Sequence, residues 1–427
     1  MKLIRSFSIF SGVSILSGLV GICMAPILTD YLSPAEYGLI GLLVTYSFIL
    51  APLISLNVNS YTALIITKYP KDEEKYYSSI LLLILGVFTI VSIVFLNFEH
   101  AVSDLLEIPD AAISLLLLLT LTTVLSEIFQ SILTFKQLEI KYLYVYGSKI
   151  LIEVFLVVLF IAFLEKPWFY RVYSTVIALS VPSVLFIVFL WRRNTKLAFS
   201  MKLLGEVLLF SLPLIPHLFS KIGLNQADRI FIVKMSSEYE LGIYNLGYMI
   251  GGALMYISSA FANVYNPYIY KRLANTNQGK IDTSVSAMFI VFISIIFICL
   301  VLLLICVPLV FNFFFPVTYL SSIKIVIPVA ISYFFWSIYL AYSPFFFYEK
   351  KTVLISSISI IAFFFNLLAN YWLVPLYGGL GAAYATLISF GIVLLIVSIL
   401  ILKIHKNFYR KFLEIKIGDF KRLKTLN

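Results

Sequence analysis

The chain has 427 residues, of which 61% are hydrophobic and only 12% charged, with a mean hydropathy of +1.02. A water-soluble fold cannot hide that much apolar surface, and the runs are continuous rather than alternating at period two, so a soluble domain and a β-barrel are both excluded. The net charge of +10 comes with no soluble domain that could bind nucleic acid, and the class expected is an all-α integral membrane protein.

Polar breaks divide the sequence into twelve expected spans: about 7–28, 38–67, 77–97, 112–135, 142–164, 169–191, 204–226, 238–268, 283–311, 323–347, 353–374 and 380–402. Each is long enough to cross roughly 30 Å of hydrocarbon as a helix. The first run begins MKLIRSFSIF and reads as an uncleaved first helix, because no small-residue cleavage site follows it. Asp30 lies just past its end. Between spans one and two stands LSPAEYGLIG, with Ser33, Glu36 and Gly38; Asn57 and Asn59 mark span two. Span four carries Thr123, Glu127, Gln130 and Thr134 along one helical face, and span five carries Tyr142, Tyr146, Lys149 and Glu153 along another. Lys149 and Glu153, four apart, read equally as a neutralising pair or as functional groups.

Within span seven, Pro213 and Pro216 are expected to kink the helix and leave carbonyls without partners. His217, Lys221, Asn225 and Asp228 then follow at i, i+4, i+8 and i+11, a single polar face that needs something polar opposite it. Charged groups at membrane depth cost about 2.5–3.5 kcal/mol each on insertion scales, so such a face reads as cavity lining. Lys221, with Arg229 nearby, is the candidate partner for an anionic group of a cargo. Between spans seven and eight comes SSEYELGIYN, with Ser237, Glu240 and Gly242. Span eight adds Ser259, Asn263 and Asn266, and span eleven adds Asn366 and Asn370; a lone asparagine there serves an interhelical hydrogen bond or a cavity. Cys23, Cys299 and Cys306 sit inside apolar runs and read as packing residues, offering neither a disulfide framework nor a metal site.

The Ser-x-x-Glu-x-Gly pattern recurs at an offset of 204 residues, with six expected spans between its copies. The expected architecture is therefore two parallel six-helix bundles, residues 1–202 and 203–402, followed by a basic tail, 403–427. Each motif is a helix start: the serine accepts from a backbone N–H, the glutamate reaches back to close a capping box at the positive end of the helix dipole, and the glycine admits a neighbouring backbone. With the N-terminus inside, 25 lysines and arginines fall on the cytoplasmic side and five on the outer side, so both termini are expected to be cytoplasmic. The tail reads first as positive-inside retention, the alternative being that it lies on anionic headgroups.

Two bundles of this kind form the architecture of an alternating-access transporter, and several segments carry a family resemblance. NQADRIFIVKMSSEYELGIYNLGYMI resembles the second-half signature of bacterial polysaccharide exporters, the O-antigen flippase branch of the multidrug/oligosaccharidyl-lipid/polysaccharide superfamily. TDYLSPAEYGLIGL resembles their first-loop pattern, and VPLYGGLGAAYATLIS their segment leading into the last helix. The resemblance implies a MATE-like inner-membrane protein that moves undecaprenyl-diphosphate-linked oligosaccharide between leaflets through a cationic cavity. It also implies contact with membrane lipids and transient association with polysaccharide assembly proteins. Onto this chain it carries Asp228, Arg229 and Gly242, with Glu36 and Gly38. His217, Lys149, Asn225, Asn263 and Lys221 join the substrate-binding candidates. Glu36, Gly38, Glu240, Gly242, Pro213 and Pro216 are the gating or structural candidates, and Asp30, Glu127 and Glu153 the ion-coupling candidates.

Two rivals compete with this reading. A drug or cation antiporter of the same superfamily would use those three carboxylates in an apolar cavity. A membrane polysaccharide polymerase would need a large outer loop, whereas the longest here, Phe98 to Ala111, has 14 residues and no lysine or arginine. No metal-ligand cluster, nucleophile elbow or phosphate-cradling loop is present in the sequence, so neither enzyme activity nor a cofactor is expected.

Overall fold

The computed structural model describes residues 2–161, 166–192, 199–275, 283–404 and 414, without the side chains of 2–8, 161, 192, 217, 274–275, 352, 356 and 404. The chain divides into two compact units, Met1–Lys234 and Met235–Asn427. This division by packing falls later than the 202/203 division by sequence repeat, because expected span seven packs with the elements before it.

Unit 1 begins with α1 (Lys2–Tyr31) and α2 (Pro34–Ser55). The second expected span does not run on to residue 67. It breaks after Ser55, where Leu56 and Asn57 adopt left-handed backbone (φ 46° and 54°), and resumes as the short α3 (Thr62–Lys68). Asparagine tolerates that conformation better than most residues, and Asn57 Nδ2 donates to Ser211 O across the break at 3.5 Å. Next come α4 (Glu73–Asn97) and α5 (Glu99–Leu106), a short helix within what reads from sequence as the outer loop. Then follow α6 (Asp110–Phe135), α7 (Glu139–Ile161), α8 (Pro167–Arg192), α9 (Met201–Ser211) and α10 (Ile215–Met235).

α6 is the most enclosed of the unit's spans and packs on α2 and α8, while α7 packs on α8 and α1. The unit's aromatic core brings Phe129 and Tyr77 around Phe186, with ring centroids 6.2 and 6.5 Å away, and Tyr76 OH donates to Val58 O at 2.7 Å. The two prolines produce the bend expected of them: a 3-10 turn at Leu212–Leu214 separates α9 from α10, and the pair is bent by 48°.

Unit 2 contains α11 (Glu238–Gly251), α12 (Ala253–Asn275), α13 (Thr283–Phe314), α14 (Ser322–Tyr348) and α15 (Thr352–Ile404). α14 is central, packing on each of the other four. α11 lies close to it because Gly247 leaves room: a Cβ there would sit 2.5 Å from Ile325 Cβ. α13 has a mean hydropathy of 3.6 over its apolar window, little of which is buried, as expected of a lipid-facing helix. α15 joins two helices across Gly378, whose φ of +56° and ψ of −135° suit glycine alone.

Among the described residues nine helices are long and apolar enough to cross a membrane, or ten with the bent α9–α10 pair. The difference from the twelve expected lies in α15, which merges the last two, and in expected span eight, which Gly252 divides into α11 and α12. The protein is a multi-pass membrane protein. Cys23 and Cys306 are exposed and Cys299 half-buried, which corrects the packing role expected of the first two: an apolar run in a membrane helix has a lipid side as well as a core side.

Candidate functional site

The polar faces read from spans four and five meet inside unit 1. Thr123, Glu127 and Gln130 of α6 and Tyr142, Tyr146 and Lys149 of α7 line one cavity of about 390 Å3. Both sets have 4-then-3 spacing, which keeps each on one helical face. α1 contributes Val13, Ser14 and Ser17, α2 contributes Val44, Ser47 and Phe48, and α8 contributes Thr175 and Leu179. Thr134, the last residue of the span-four face, is not part of the lining.

Charge is balanced around this space. Lys149 Nζ donates to Glu153 Oε2 at 2.6 Å, while Arg171 Nη1 and Thr175 Oγ1 donate to Glu153 Oε1 at 3.2 and 3.1 Å. The three charged side chains retain only 16–21% exposure, so the group is largely shielded from water. Two cations thus converge on one carboxylate, and the second carboxylate, Glu127, opens onto the cavity with no ion-pair partner among the described residues. Arg171, which no sequence motif singled out, lies within α8 and reaches back to α7.

Hydrogen bonds hold the rest of the wall. Gln130 Nε2 donates to Tyr142 OH at 2.9 Å, and Tyr146 OH donates to Ser126 O at 2.6 Å. The rings of Tyr142 and Tyr146 lie 4.7 Å apart, and Phe10 meets Tyr142 edge-on at 4.8 Å. Ser47 is buried (3% exposed), and its Oγ has no hydrogen-bond partner among the described residues.

The α10 face is arranged differently. Lys221 is exposed, and Asn225 folds back on its own helix, donating from Nδ2 to Lys221 O at 2.8 Å. Half-buried Arg229 donates from Nη1 to Asn225 O at 2.9 Å, and Asp228 is fully buried. The His217 side chain lies outside the described residues. Thr45 Oγ1 donates to Gln226 Oε1 at 3.2 Å, tying α10 to α2. Elsewhere Asp30 is exposed at the end of α1, Asn263 is half-buried on α12, and Pro213 and Pro216 are exposed. Asn366 and Asn370 are both fully buried and bond within α15, Asn370 Nδ2 donating to Asn366 Oδ1 at 3.0 Å.

The repeated motif is used in two ways. At the first copy the capping box closes: Glu36 N donates to Ser33 Oγ at 3.3 Å, and Ser33 N to Glu36 Oε2 at 2.9 Å. At the second, Ser237 Oγ still accepts from Glu240 N at 3.2 Å, but the Glu240 carboxylate turns away and accepts from Gly379 N at 3.2 Å. That corrects the expectation of a second complete box; a backbone donor 139 residues away competes successfully for the carboxylate. Gly38 and Gly242 are both buried.

Comparison with known proteins decides the family. The family model of polysaccharide biosynthesis proteins matches residues 3–273, more than half of the chain. The chain belongs to the polysaccharide biosynthesis protein family. The exporter resemblance of its motifs is thereby met. This family member shares its fold with a lipid II flippase, MurJ, in an inward-closed conformation: 16% identity and a TM-score of 0.73, over 98% of this chain and 93% of that one. It also matches an inward-facing multidrug-resistance MATE transporter of the MOP superfamily at 15% identity and a TM-score of 0.60, over 95% of both chains. The MATE multidrug transporter DinF-BH matches at 13% identity and a TM-score of 0.57, over 95% of both chains. At these identities the likeness is one of fold. A comparison with curated proteins gave no match.

Proposed function

We propose that this protein is a flippase that carries a lipid-linked oligosaccharide across the bacterial inner membrane by alternating access, for assembly of O-antigen or another surface polysaccharide. One observation carries the reading: a charge-balanced cavity with hydroxyl, amide and charged groups in its wall is built into apolar spans of a chain that belongs to a polysaccharide biosynthesis family. A diphosphate-linked glycan cannot cross hydrocarbon unaided, whereas hydroxyl, amide and cationic partners in a membrane-embedded site replace its water. In this reading the undecaprenyl chain stays in the bilayer and exposed Lys221 meets the diphosphate, with Arg229 behind it. Residues 1–202 and 203–402 are the repeated modules and both termini are cytoplasmic. Membrane lipids and polysaccharide assembly proteins are the expected neighbours, and no chemical step is catalysed.

Deletion of the gene in its own host tests this. Lipid-linked oligosaccharide is expected to accumulate on the cytoplasmic face, rescued by wild type but not by a stably expressed Lys221→Ala protein. Unpolymerised units collecting outside would instead mark a polymerase. One observation favours a second reading, an ion-coupled drug or cation antiporter: Glu127 faces the cavity without a counter-ion among the described residues. Under that reading Glu127→Gln abolishes transport, because an amide neither titrates nor neutralises a cation.

A further inference from the structure

We infer that the cavity of unit 1 is a sugar subsite: it takes an uncharged, hydroxyl-rich ring of the cargo, with Glu127 as the principal hydrogen-bond acceptor. The inference rests on the flippase reading and adds which part of the cargo is held, and by what.

Size and lining come first. At about 390 Å3 the cavity lies at the lower end of small-molecule sites, roughly 300–1,000 Å3, which suits a sugar ring and not a long glycan. Its wall alternates apolar faces, such as Phe48, with hydroxyls and one amide, the mixture that meets a sugar's C–H faces and its ring hydroxyls. Charge narrows the choice. Lys149, Arg171 and Glu153 together carry one net positive charge and Glu127 one negative charge, so the wall as a whole is neutral and offers a phosphate no surplus cation. A carboxylate accepts from two neighbouring hydroxyls at once, and a pyranose presents such pairs.

An independent observation points to a ligand. Ser47 lines the cavity, is 3% exposed, and has an Oγ with no hydrogen-bond partner among the described residues, although buried hydroxyls are normally satisfied. Turned toward the cavity by rotation about its Cα–Cβ bond, the hydroxyl would find that partner in a ring hydroxyl. Gln130 and Tyr142 are already bonded to each other, which pre-orients the amide oxygen for a donor in the cavity.

The test uses the full chain, purified in lipid nanodiscs. Proton saturation-transfer NMR reads binding of glucose, N-acetylglucosamine and glucuronate, and phosphorus and sodium NMR line broadening read binding of inorganic phosphate and sodium. The neutral sugars are expected to bind, and phosphate and glucuronate are not. Glu127→Ala should weaken neutral-sugar binding about tenfold, the factor of one to two lost hydrogen bonds. Glu127→Gln should stay within about twofold, because the amide keeps an acceptor. Filling the cavity with Thr123→Phe should abolish binding; thermal unfolding of each variant verifies that it folds. The inference is overturned if phosphate or sodium alone binds in a Glu127-dependent way, if Glu127→Gln binds sugar as poorly as Glu127→Ala, or if sugar binding ignores both Glu127→Ala and Thr123→Phe. The two proposals fail separately. Wild-type rescue of the deletion strain without Glu127-dependent sugar binding removes only the subsite. Sugar binding in a protein whose deletion leaves lipid-linked glycan correctly distributed removes the flippase reading.

Discussion

Glu153 shows why a charged residue inside a span need not face a cargo. Its carboxylate answers Lys149 on one oxygen and Arg171 with Thr175 on the other, so its charge is used within unit 1. Replacing it with glutamine should leave two cationic groups facing each other in a shielded site. We expect Glu153→Gln to lower stability by about 2–4 kcal/mol, measured by thermal or denaturant unfolding of the solubilised protein. Glu127→Gln should be close to neutral by the same measurement, because that carboxylate holds no ion-pair partner in the wall. Two carboxylates in neighbouring helices thus separate by role, and a swap of the outcomes would reverse the assignment.

Among the elements, α11 and α15 depend on one another. The carboxylate of Glu240 sits where α15 restarts after Gly378, accepting from Gly379 N, where a negative charge favours the positive end of a helix. Gly378→Ala should cost about 1–3 kcal/mol, since its backbone conformation excludes a side chain and a Cβ would lie 2.9 Å from Glu240 Oε2. Gly247→Leu should be as damaging for a different reason: it forces α11 away from α14 at Ile325, an overpacking worth about 1–3 kcal/mol. Both are read as a loss of folded, monodisperse protein on size-exclusion chromatography after mild heating. Glu36→Ala should cost only a helix cap, about 0.5–2 kcal/mol, because its bonds stay within its own first turn.

At the scale of the whole molecule, the proposed orientation rests on the distribution of positive charge. The totals of 25 and five include Lys149 on the inner side and Arg171 on the outer side, both of which lie inside helices; without them the bias still stands. Cysteine labelling in intact cells checks it on a background without the three native cysteines. Glu107→Cys, beside α5, is expected to react with a membrane-impermeant thiol reagent from outside. Lys71→Cys, between α3 and α4, should react only after permeabilisation. The reverse pattern would invert the protein, and with it the direction assigned to transport.

Class, the principal helices and the polar faces were readable along the chain, because hydrocarbon thickness sets span length and the 3.6-residue turn sets which residues share a face. Glu127 with Gln130, and Tyr142 with Lys149, were visible as stripes for that reason. Helical period says nothing about which neighbour a stripe will meet. Packing brought the α6 and α7 faces together, added Arg171 from α8 and Ser47 from α2, and turned Glu240 toward Gly379 instead of its own cap. Such partners lie tens to more than a hundred residues apart, and a polar group in a membrane helix is satisfied equally by a neighbouring helix or by a wet cavity. The choice between those two is made where helices touch, so it enters with the folded structure and not with the order of residues.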